Sequence, residues 1–463
     1  MDFDLIALGS GPAGTRAAIQ ASKLRFRSAV VEQGRRVGGV CVNTGTIPSK
    51  TVREAILHLT GFRQRGFYGQ AYRVKNEVTF DDISRRTEIV VEREQSVLGD
   101  QLARNHIALI EGRASVVDPH TVRITSPRGD ESMVTARAIV IATGSTPAHL
   151  SDVDFDGTTV LDSDQILSLG SIPDELLVVG AGVIGIEYTS MFAALGSRVT
   201  LVESRPTILD FCDHEIVEAL QYHLRDIGVT FRLGETVTAV ERHDGRAITS
   251  LESGKRIATD AVFYSAGRQG ATEGLGLGDL GIEVDTRGRI AVDSTYKTAV
   301  DSIYAVGDVI GFPSLASVSA EQGRIAACAA LGIETHPITE LIPFGIYAIP
   351  EVSYVGKTEA ELTEHNIPYE VGIARYRELA RGVILGEQHG LLKLLVSAEN
   401  GRLLGVHAFG TGATELVHIG QTAMGLDGTV EFFIDSVFNY PTLAEAYKVA
   451  ALNASNKMRS VAV

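Results

Sequence analysis

One short stretch of the sequence has the spacing of a redox-active cysteine pair but carries only one of the two sulfurs. The stretch is GGVCVNTGTIPSK, residues 38–50, and it places Cys41 and Thr46 five positions apart where a helix is expected to begin. Two thiols at such a spacing exchange electrons by closing and opening a disulfide. A threonine hydroxyl is neither a thiolate nucleophile at neutral pH nor oxidisable to a disulfide. The sequence therefore predicts that dithiol chemistry is missing here.

A glycine-rich turn near the N-terminus predicts a dinucleotide-binding unit. The sequence DFDLIALGSGPAG runs from an apolar strand into Gly9, Gly11 and Gly14, and an alanine-rich helix follows. Gly9 permits the tight turn, Gly11 lets the backbone approach a pyrophosphate, and Gly14 allows close packing of helix on strand. The next strand, SAVVEQ, ends at Glu32, whose carboxylate can accept hydrogen bonds from ribose hydroxyl groups.

The same arrangement occurs a second time in the middle of the chain. Gly180, Gly182 and Gly185 follow the apolar run ELLVV, and the next strand ends at Glu203. In both copies the acidic residue lies 23 positions after the first glycine. One such turn often only joins a strand to a helix, but two copies with matched acidic residues indicate two nucleotide-binding units.

The choice of nucleotide depends on two residues at the end of the strand that follows the second glycine turn. Glu203 favours NAD(H), because a carboxylate binds ribose hydroxyls but repels a 2′-phosphate. Arg205 could offset this preference by pairing with the phosphate. The sequence leaves the order of the two affinities open.

The elements that must position these residues are alternating strands and helices. A strand ending at Gly144 closes the first unit, and a strand ending at Gly267 closes the second. The chain is expected to return to the first unit at the strand before Asp308. Short runs such as LLKLLVS then predict a third, interface-forming domain. The predicted fold is therefore α/β, with two Rossmann-like nucleotide-binding domains and a C-terminal α+β domain.

Composition limits the classes of partner. The 463 residues have a net charge of −15, which disfavours nucleic acid and anionic membranes as partners. The three cysteines have no CxxC spacing, and no histidine cluster has the spacing of metal ligands, so no metal site is predicted. No signal segment or run of ~20 apolar residues occurs, and a cytoplasmic location is expected.

The motifs taken together resemble the flavoprotein disulfide reductase family over nearly the whole chain. They are GSGPAG, GGVCVNTGTIPSK, ATGS, GAGVIGIEY, YAVGD, PEVSYVGKTEAEL and FNYPTLAEAYKVAALN. Within that family the chain is most similar to the soluble pyridine nucleotide transhydrogenases, whose members also carry Thr in GTIPSK and the motif FNYPT. The resemblance implies bound FAD, NAD(H) and NADP(H) as substrates, and a homodimer or a higher homo-oligomer.

The resemblance also implies two sets of site residues. The set expected around FAD is Gly9, Gly11, Gly14, Glu32, Gly39, Cys41, Lys50, Ala114, Thr143, Gly144, Asp308 and Ala316. The set expected around the nicotinamide nucleotide is Gly180, Gly182, Gly185, Glu187, Glu203, Arg205 and Gly267. Lys50 and Glu187 are the predicted catalytic pair, beside the flavin N5 and the nicotinamide. Their structural alternatives are a solvated lysine and a glutamate that complements a helix N-terminus.

The expected domains follow the same resemblance. Residues 1–148 and 273–342 are predicted to form the FAD-binding domain in two segments. Residues 149–272 are predicted to form the NAD(P)-binding domain, and residues 343–463 the dimerisation domain.

A second departure from the family accompanies the missing sulfur. The family's C-terminal His-Glu pair reads YPTLAE here, with Tyr440 at the histidine position and Glu445 retained. Tyrosine, with an ordinary pKa near 10, is a poor proton carrier at pH 7. Tyr440 is interpreted as a packing residue at a subunit interface, and Cys41 as a small buried packing residue. Structural roles are likewise expected for His407, His418, Cys212 and Cys328.

The resulting functional prediction is hydride transfer between NADH/NAD+ and NADPH/NADP+ through FAD. Two alternatives share the nucleotide sites and stay open at this point. One is an NAD(P)H quinone reductase or diaphorase, and the other is a non-enzymatic flavoprotein that binds NADH.

Overall fold

The computed structural model describes residues 1–69, 71–149 and 153–461. The first part of the chain builds a mixed sheet with helices inserted between its strands. Its strands are β1 (Phe3–Leu8), β2 (Ser28–Glu32), β3 (Ala108–Glu111), β4 (Arg113–Asp118), β5 (Thr121–Thr125), β6 (Glu131–Ile141) and β7 (Ser145–Pro147). Its helices are α1 (Pro12–Lys23), α2 (Gly39–Asn43), α3 (Thr46–Leu59), α4 (Arg65–Tyr68) and α5 (Phe80–Arg104).

The strand order in this sheet is β3-β2-β1-β6-β5-β4. Strand β1 lies at its centre and pairs in parallel with β2 and β6, while β5 and β4 extend the sheet in antiparallel fashion. The last four residues of both β1 and β6 are buried. Such continuous apolar runs are typical of strands that are covered on both faces.

The second part of the chain repeats the parallel arrangement. Its elements are β8 (Val160–Leu161), β9 (Glu175–Val179), α6 (Val183–Leu195), β10 (Arg198–Glu203), α7 (His214–Asp226), β11 (Thr230–Leu233), β12 (Val237–His243), β13 (Arg246–Leu251), β14 (Arg256–Thr259), β15 (Ala261–Tyr264) and β16 (Arg268–Gly270). The order β11-β10-β9-β15-β8 forms a parallel sheet, and β12, β13 and β14 form a separate antiparallel meander. Strand β16 pairs with β7 and so joins the two units.

The chain then re-enters the first sheet. Strand β17 (Ile303–Ala305) lies parallel to β6, and α8 (Ala316–Ala330) packs against α1. The two helices approach so closely that a Cβ atom at Gly323 would lie 2.1 Å from the carbonyl oxygen of Ala13. Residues from the two segments of the first unit therefore pack directly against each other.

The C-terminal part forms an antiparallel sheet with helices packed on it. Its elements are β18 (Phe344–Ile346), β19 (Val352–Gly356), α9 (Glu359–Glu364), β20 (Tyr369–Arg375), α10 (Ala380–Leu385), β21 (Leu391–Ser397), β22 (Leu403–Phe409), α11 (Ala413–Gly425), α12 (Val430–Asp435) and α13 (Glu445–Val461). The strand order is β18-β19-β22-β21-β20. Helix α13 packs against β20 and β21, and α11 against β19 and β22.

The predicted fold class is confirmed: two units built around parallel strands precede an antiparallel C-terminal sheet. The numerical domain limits stay predictions. None of the helices in the described ranges is long and apolar enough to cross a membrane. Within the same ranges, no group of three or more His, Cys, Asp or Glu side chains is placed to hold a metal ion.

Candidate active site

Both glycine turns have the geometry that their spacing predicts. Gly9 and Gly180 adopt φ angles of +109° and +98°, a region that favours glycine. A Cβ atom at Gly14 would lie 2.0 Å from the carbonyl oxygen of Gly9, and one at Gly185 would lie 1.9 Å from that of Gly180. The third glycine of each turn thus lets the helix lie directly on the turn.

The middle glycines face open space. A Cβ atom at Gly11 or Gly182 would meet no atom within 4 Å. Each residue immediately precedes its helix, α1 or α6. Free backbone N–H groups and the positive end of the helix dipole at such a terminus suit a pyrophosphate group.

The two acidic residues occupy equivalent positions in the two units. An oxygen of Glu32 accepts a hydrogen bond of 3.0 Å from the backbone N–H of Ser10. An oxygen of Glu203 accepts one of 2.7 Å from the N–H of Ala181. Ser10 and Ala181 are both the second residue of their glycine turn. Each carboxylate is therefore fixed beside the loop that would hold a nucleotide.

A cleft of about 880 Å³ opens beside the first glycine turn. The predicted residues that line it are Gly9, Gly11, Glu32, Gly39, Cys41, Ala114, Thr143, Gly144, Asp308 and Ala316. The hydroxyl oxygen of Thr143 is buried and has no hydrogen-bond partner within the described part of the chain. A buried hydroxyl usually has a partner, so a ligand atom is expected to supply one. The size of the cleft, its glycine turn and this hydroxyl together fit a dinucleotide such as FAD.

Cys41 and Thr46 belong to two different short elements rather than to the start of one helix. Cys41 lies half-buried in α2, and Thr46 is the first residue of α3. Burial raises the pKa of the Cys41 thiol, and a hydrogen bond with Thr46 opposes this rise only in part. The thiol is thus kept protonated at neutral pH, which is unfavourable for nucleophilic chemistry.

Cys41 also lines a second, smaller cavity. Its volume is about 180 Å³, and α1, α2 and α5 contribute its walls. The polar side chains at this cavity include Arg16, Glu94 and Gln101. Cys41 and Pro12 are shared by both cavities and therefore separate them.

Lys50 and Glu187 are 137 positions apart in the sequence and form an ion pair in the structure. The Nζ atom of Lys50 lies 2.7 Å from Oε2 of Glu187, and the glutamate side chain is only 3% exposed. The backbone N–H of Tyr347 donates a further hydrogen bond of 2.8 Å to Glu187, and the ring of Tyr347 lies 5.0 Å from Nζ. Glu187 lies in the second turn of α6, so the helix terminus is not its main partner. Their catalytic role stays a prediction.

Arg205 is not free in the structure. Its guanidinium contacts Glu203 at 3.0 Å and Asp210 at 2.7 Å. Burial would raise the pKa of Glu203, but the hydrogen bonds from Arg205 and from the N–H of Ala181 lower it to about 2. A 2′-phosphate would therefore have to compete with two carboxylates for Arg205.

Several predicted residues lie outside the lining of the large cleft. Gly14 allows α1 to pack closely on the glycine turn. The ion pair between Lys50 and Glu187 connects α3 to α6. Gly267 adopts a φ of +122° directly before β16. The binding roles assigned to individual residues stay predictions.

Sequence reasoning missed three residues that the structure places at this site. They are Ser145, Arg268 and Tyr347. Ser145 directly follows Gly144, and Arg268 directly follows Gly267. Both could therefore have been predicted from the sequence as neighbours of motif glycines. Tyr347 lies three residues before Pro350, where the PEVSYVG motif begins, and its contact with Glu187 could not be read from the chain.

The residues that were expected to be structural show packing or local contacts. His407 is 1% exposed and contacts the carbonyl oxygen of Lys357, while His418 contacts Gln421 on its own helix. Cys212 and Cys328 are buried. Tyr440 is 75% exposed in the single chain.

Comparison with known proteins agrees with this geometry. The pyridine nucleotide-disulphide oxidoreductase model matches residues 3–323, and the model of that family's dimerisation domain matches residues 342–451. A protein from Mycobacterium bovis named soluble pyridine nucleotide transhydrogenase is 59% identical over 461 residues, which cover 99% of this chain and 98% of that protein. A protein of the same name from Colwellia psychrerythraea is 43% identical, with 99% of each chain covered.

Solved structures show the same fold along the whole chain. LpdA from Mycobacterium tuberculosis aligns with a TM-score of 0.90 and 27% identity, covering 97% of this chain and 98% of that one. The HOCl-induced flavoprotein disulfide reductase RclA from Escherichia coli aligns with a TM-score of 0.87 and 27% identity, covering 97% and 99%. Since the family model spans more than two thirds of the residues and the relatives align almost end to end, the chain belongs to the pyridine nucleotide-disulphide oxidoreductase family.

Proposed function

We propose that the protein is an FAD-dependent NAD(P)+ transhydrogenase that works without a redox disulfide. One observation carries the proposal: both nucleotide units are complete, whereas the dithiol position holds Cys41 and Thr46. The full-length relatives named soluble pyridine nucleotide transhydrogenase support the same activity. FAD and a nicotinamide nucleotide are the cofactors of the family.

The first unit would hold FAD and the second a nicotinamide nucleotide. FAD, when bound there, would supply the chemistry of hydride transfer between two nicotinamide nucleotides. The chain would bind the FAD pyrophosphate at Gly11 and its ribose at Glu32, with Thr143 donating or accepting the hydrogen bond that its hydroxyl lacks. No side-chain nucleophile is required, because binding and orientation are what the protein supplies.

The Lys50–Glu187 pair would set the charge where the two cofactors meet. Glu187 is held by both the ammonium group of Lys50 and the N–H of Tyr347, so its carboxylate is fixed. The ammonium group in turn stays at a defined place against α6. A half-buried lysine held by a buried carboxylate orients reacting groups better than a mobile surface lysine would.

The decisive experiment follows the flavin through both half-reactions. The purified yellow protein is reduced with NADH in the absence of oxygen, excess NADH is removed, and NADP+ is added. Reappearance of the oxidised flavin spectrum is expected, together with NADPH formation. A protein that is reoxidised by quinones but not by NADP+ would be a quinone reductase. Slow reduction despite tight NADH binding would indicate a binding protein, and a folded protein that takes up no FAD would contradict the proposal.

We also infer a homodimer, because residues 342–451 match the dimerisation domain of the family. A cytoplasmic location and the absence of nucleic-acid and membrane partners stay predictions that rest on composition. The net charge of −15 supports the prediction on partners, whereas the predicted location rests on the lack of a recognisable signal segment or long apolar run.

A further inference from the structure

Arg268 makes a set of contacts that the proposed chemistry does not use. It is the first residue of β16 and follows Gly267 directly. Its side chain is 18% exposed and lies between the two nucleotide-binding units. Nε donates to the hydroxyl oxygen of Ser145 at 2.9 Å, and Nη2 donates to the carbonyl oxygen of the same residue at 2.7 Å. The planar guanidinium therefore holds Ser145 at two points.

The other side of the guanidinium contacts the second unit. Nη1 donates to the hydroxyl of Ser163 at 2.9 Å and to Oδ1 of Asp164 at 3.0 Å. Both residues follow β8, the edge strand of the second parallel sheet. Arg268 thus contacts two segments that lie 123 and 105 positions before it in the sequence.

Ser145 passes the contact on to the cleft. Its hydroxyl donates to Oδ2 of Asp308 at 2.8 Å while it accepts from Nε of Arg268. Because a serine hydroxyl has one proton, the bond from Arg268 orients that proton towards Asp308. Asp308 and Ser145 both line the large cleft, whereas Ser163 is not among the cleft residues. The backbone reinforces the arrangement, since β7 and β16 pair antiparallel at these residues.

We propose that Arg268 is a positioning residue: through Ser145 it fixes the cleft-facing carboxylate of Asp308 and so couples FAD binding to the nicotinamide-nucleotide unit. The proposal rests on the binding of FAD in the cleft. The planar guanidinium directs separate N–H donors to two atoms of Ser145 and to Asp164, and this fixed geometry suits the task. The contact would keep the two units in one relative position while one nucleotide replaces another.

Two matched hydroxyl deletions test the proposal in the full-length protein. Ser145→Ala removes the hydroxyl between Arg268 and Asp308, whereas Ser163→Ala removes a hydroxyl from the same guanidinium on the side away from Asp308. Flavin-free protein is titrated with FAD, and the visible flavin spectrum and midpoint potential are recorded. A purely structural role of Arg268 would leave the spectrum and the potential unchanged.

We expect Ser145→Ala to weaken FAD binding roughly tenfold and to shift the flavin spectrum, with Ser163→Ala within about twofold of the wild type. Arg268→Gln should weaken FAD binding at least as much, and adding Ser145→Ala to it should cause little further loss because both act through one bond. The proposal would be overturned if Ser145→Ala bound FAD with wild-type affinity, or if the two serine variants lost equal affinity. It would also be overturned if the losses of FAD affinity in Arg268→Gln and Ser145→Ala added up in the double variant. A wild-type protein that binds no FAD would instead contradict the proposed function.

Discussion

Cys41 lies half-buried beside the cleft, and burial raises the pKa of its thiol. Thiol reactivity depends on the thiolate, so the residue is expected to be inert at neutral pH. The residue five positions later, where a second thiol would be needed for a disulfide, is Thr46. At the scale of single residues, the activity is therefore expected to depend on side chains that would bind and orient nucleotides.

Cys41→Ser should therefore leave transhydrogenation within about twofold of the wild type, because hydride transfer would need no sulfur. The assay is NADH-dependent reduction of an NADP+ analogue. As a counterpart, Thr46→Cys restores the thiol spacing but should not yield an efficient disulfide reductase. Tyr440 leaves no imidazole for proton transfer, and positioned acid–base groups contribute ~10² to 10⁴ in rate. Loss of turnover in Cys41→Ser, or efficient disulfide reduction by Thr46→Cys alone, would contradict this interpretation.

The Glu203–Arg205–Asp210 contacts predict how the nucleotide preference can be changed. Arg205→Ala should weaken NADPH binding by about 1.5 to 3 kcal/mol and NADH binding less, since only NADPH offers a phosphate. Asp210→Asn should strengthen NADPH binding severalfold, because it removes one of the two carboxylates that hold Arg205. Glu203→Ala should weaken NADH binding. Dissociation constants from titrations check all three, and an unchanged NADPH constant in Arg205→Ala would show that the phosphate partner lies elsewhere.

The pKa of Glu203 predicts that NADH binding is insensitive to pH in the neutral range. The bonds that lower its pKa to about 2 keep the carboxylate charged throughout that range. Its stabilising contacts are present above the ordinary pKa near 4.5 and are lost only as the pH falls towards 2. The dissociation constant of NADH should therefore be constant between about pH 6 and 8, whereas that of NADPH should fall with rising pH as its 2′-phosphate loses its second proton at about pH 6.

Helix α3 connects all three parts of the molecule. Lys50 pairs with Glu187 of α6, and Arg53, one turn later, pairs with Glu351 beside β19 at 2.9 Å. Arg53 and Glu351 are both nearly completely buried, and Arg53 also donates to the carbonyl oxygen of Ala348. One short helix thus holds the site in register with the second unit and with the C-terminal sheet.

Glu351→Ala should destabilise the protein by about 3 to 5 kcal/mol, because it removes the buried carboxylate that pairs with Arg53 and accepts two hydrogen bonds from Thr414. The matched control is Glu54→Ala, which removes the more exposed carboxylate from the same guanidinium. That change should cost less than about 1 kcal/mol. Denaturant unfolding of both variants provides the comparison, and equal stabilities would show that the buried pair contributes little.

Substitutions in the first glycine turn should distinguish effects on folding stability from effects on FAD binding. Gly14→Ala would place a methyl group 2.0 Å from the carbonyl oxygen of Gly9, so a loss of about 1 to 3 kcal/mol of stability is expected. Gly11→Ala has room for its methyl group and should fold normally but bind FAD more weakly, because that methyl group would point into the cleft. Thermal unfolding and FAD titration separate the two effects. A stable Gly14→Ala protein would refute the close-packing role.

At the scale of the whole molecule, large apolar side chains are exposed near the end of the chain. Leu426, Phe432, Val437 and Tyr440 have exposed fractions of 78%, 58%, 95% and 75%. Exposed apolar surface of this kind marks interaction sites, and this segment lies within the match to the family's dimerisation domain. The exposure of Tyr440 accords with the prediction that it packs at a subunit interface.

Sedimentation should therefore find a dimer at micromolar concentration. Val437→Asp should weaken the dimer, whereas Met133→Asp, at an exposed apolar position on β6 of the first unit, should not. The physical reason is that a charge buried at an apolar contact is costly, while one on a free surface is not. A stable wild-type monomer, or equal effects of the two substitutions, would contradict this assignment.

The sequence by itself determined the features that depend on neighbouring residues. The turns at Gly9 and Gly180, the acidic residues 23 positions later and the missing second sulfur were all readable, because local backbone geometry and side-chain chemistry fix them. The tertiary structure decided which distant groups meet. The pairing of Lys50 with Glu187 and the contact of Arg268 with Ser145 span 137 and 123 positions, and they arise only when the separate units pack together.

Arg205 shows the same limit within a few residues. Its position after Glu203 suggested a free partner for a phosphate, but the fold turns it towards both Glu203 and Asp210. Sequence patterns give the type and spacing of charges, whereas the direction of a long side chain depends on all the charges that the packed backbone brings within reach.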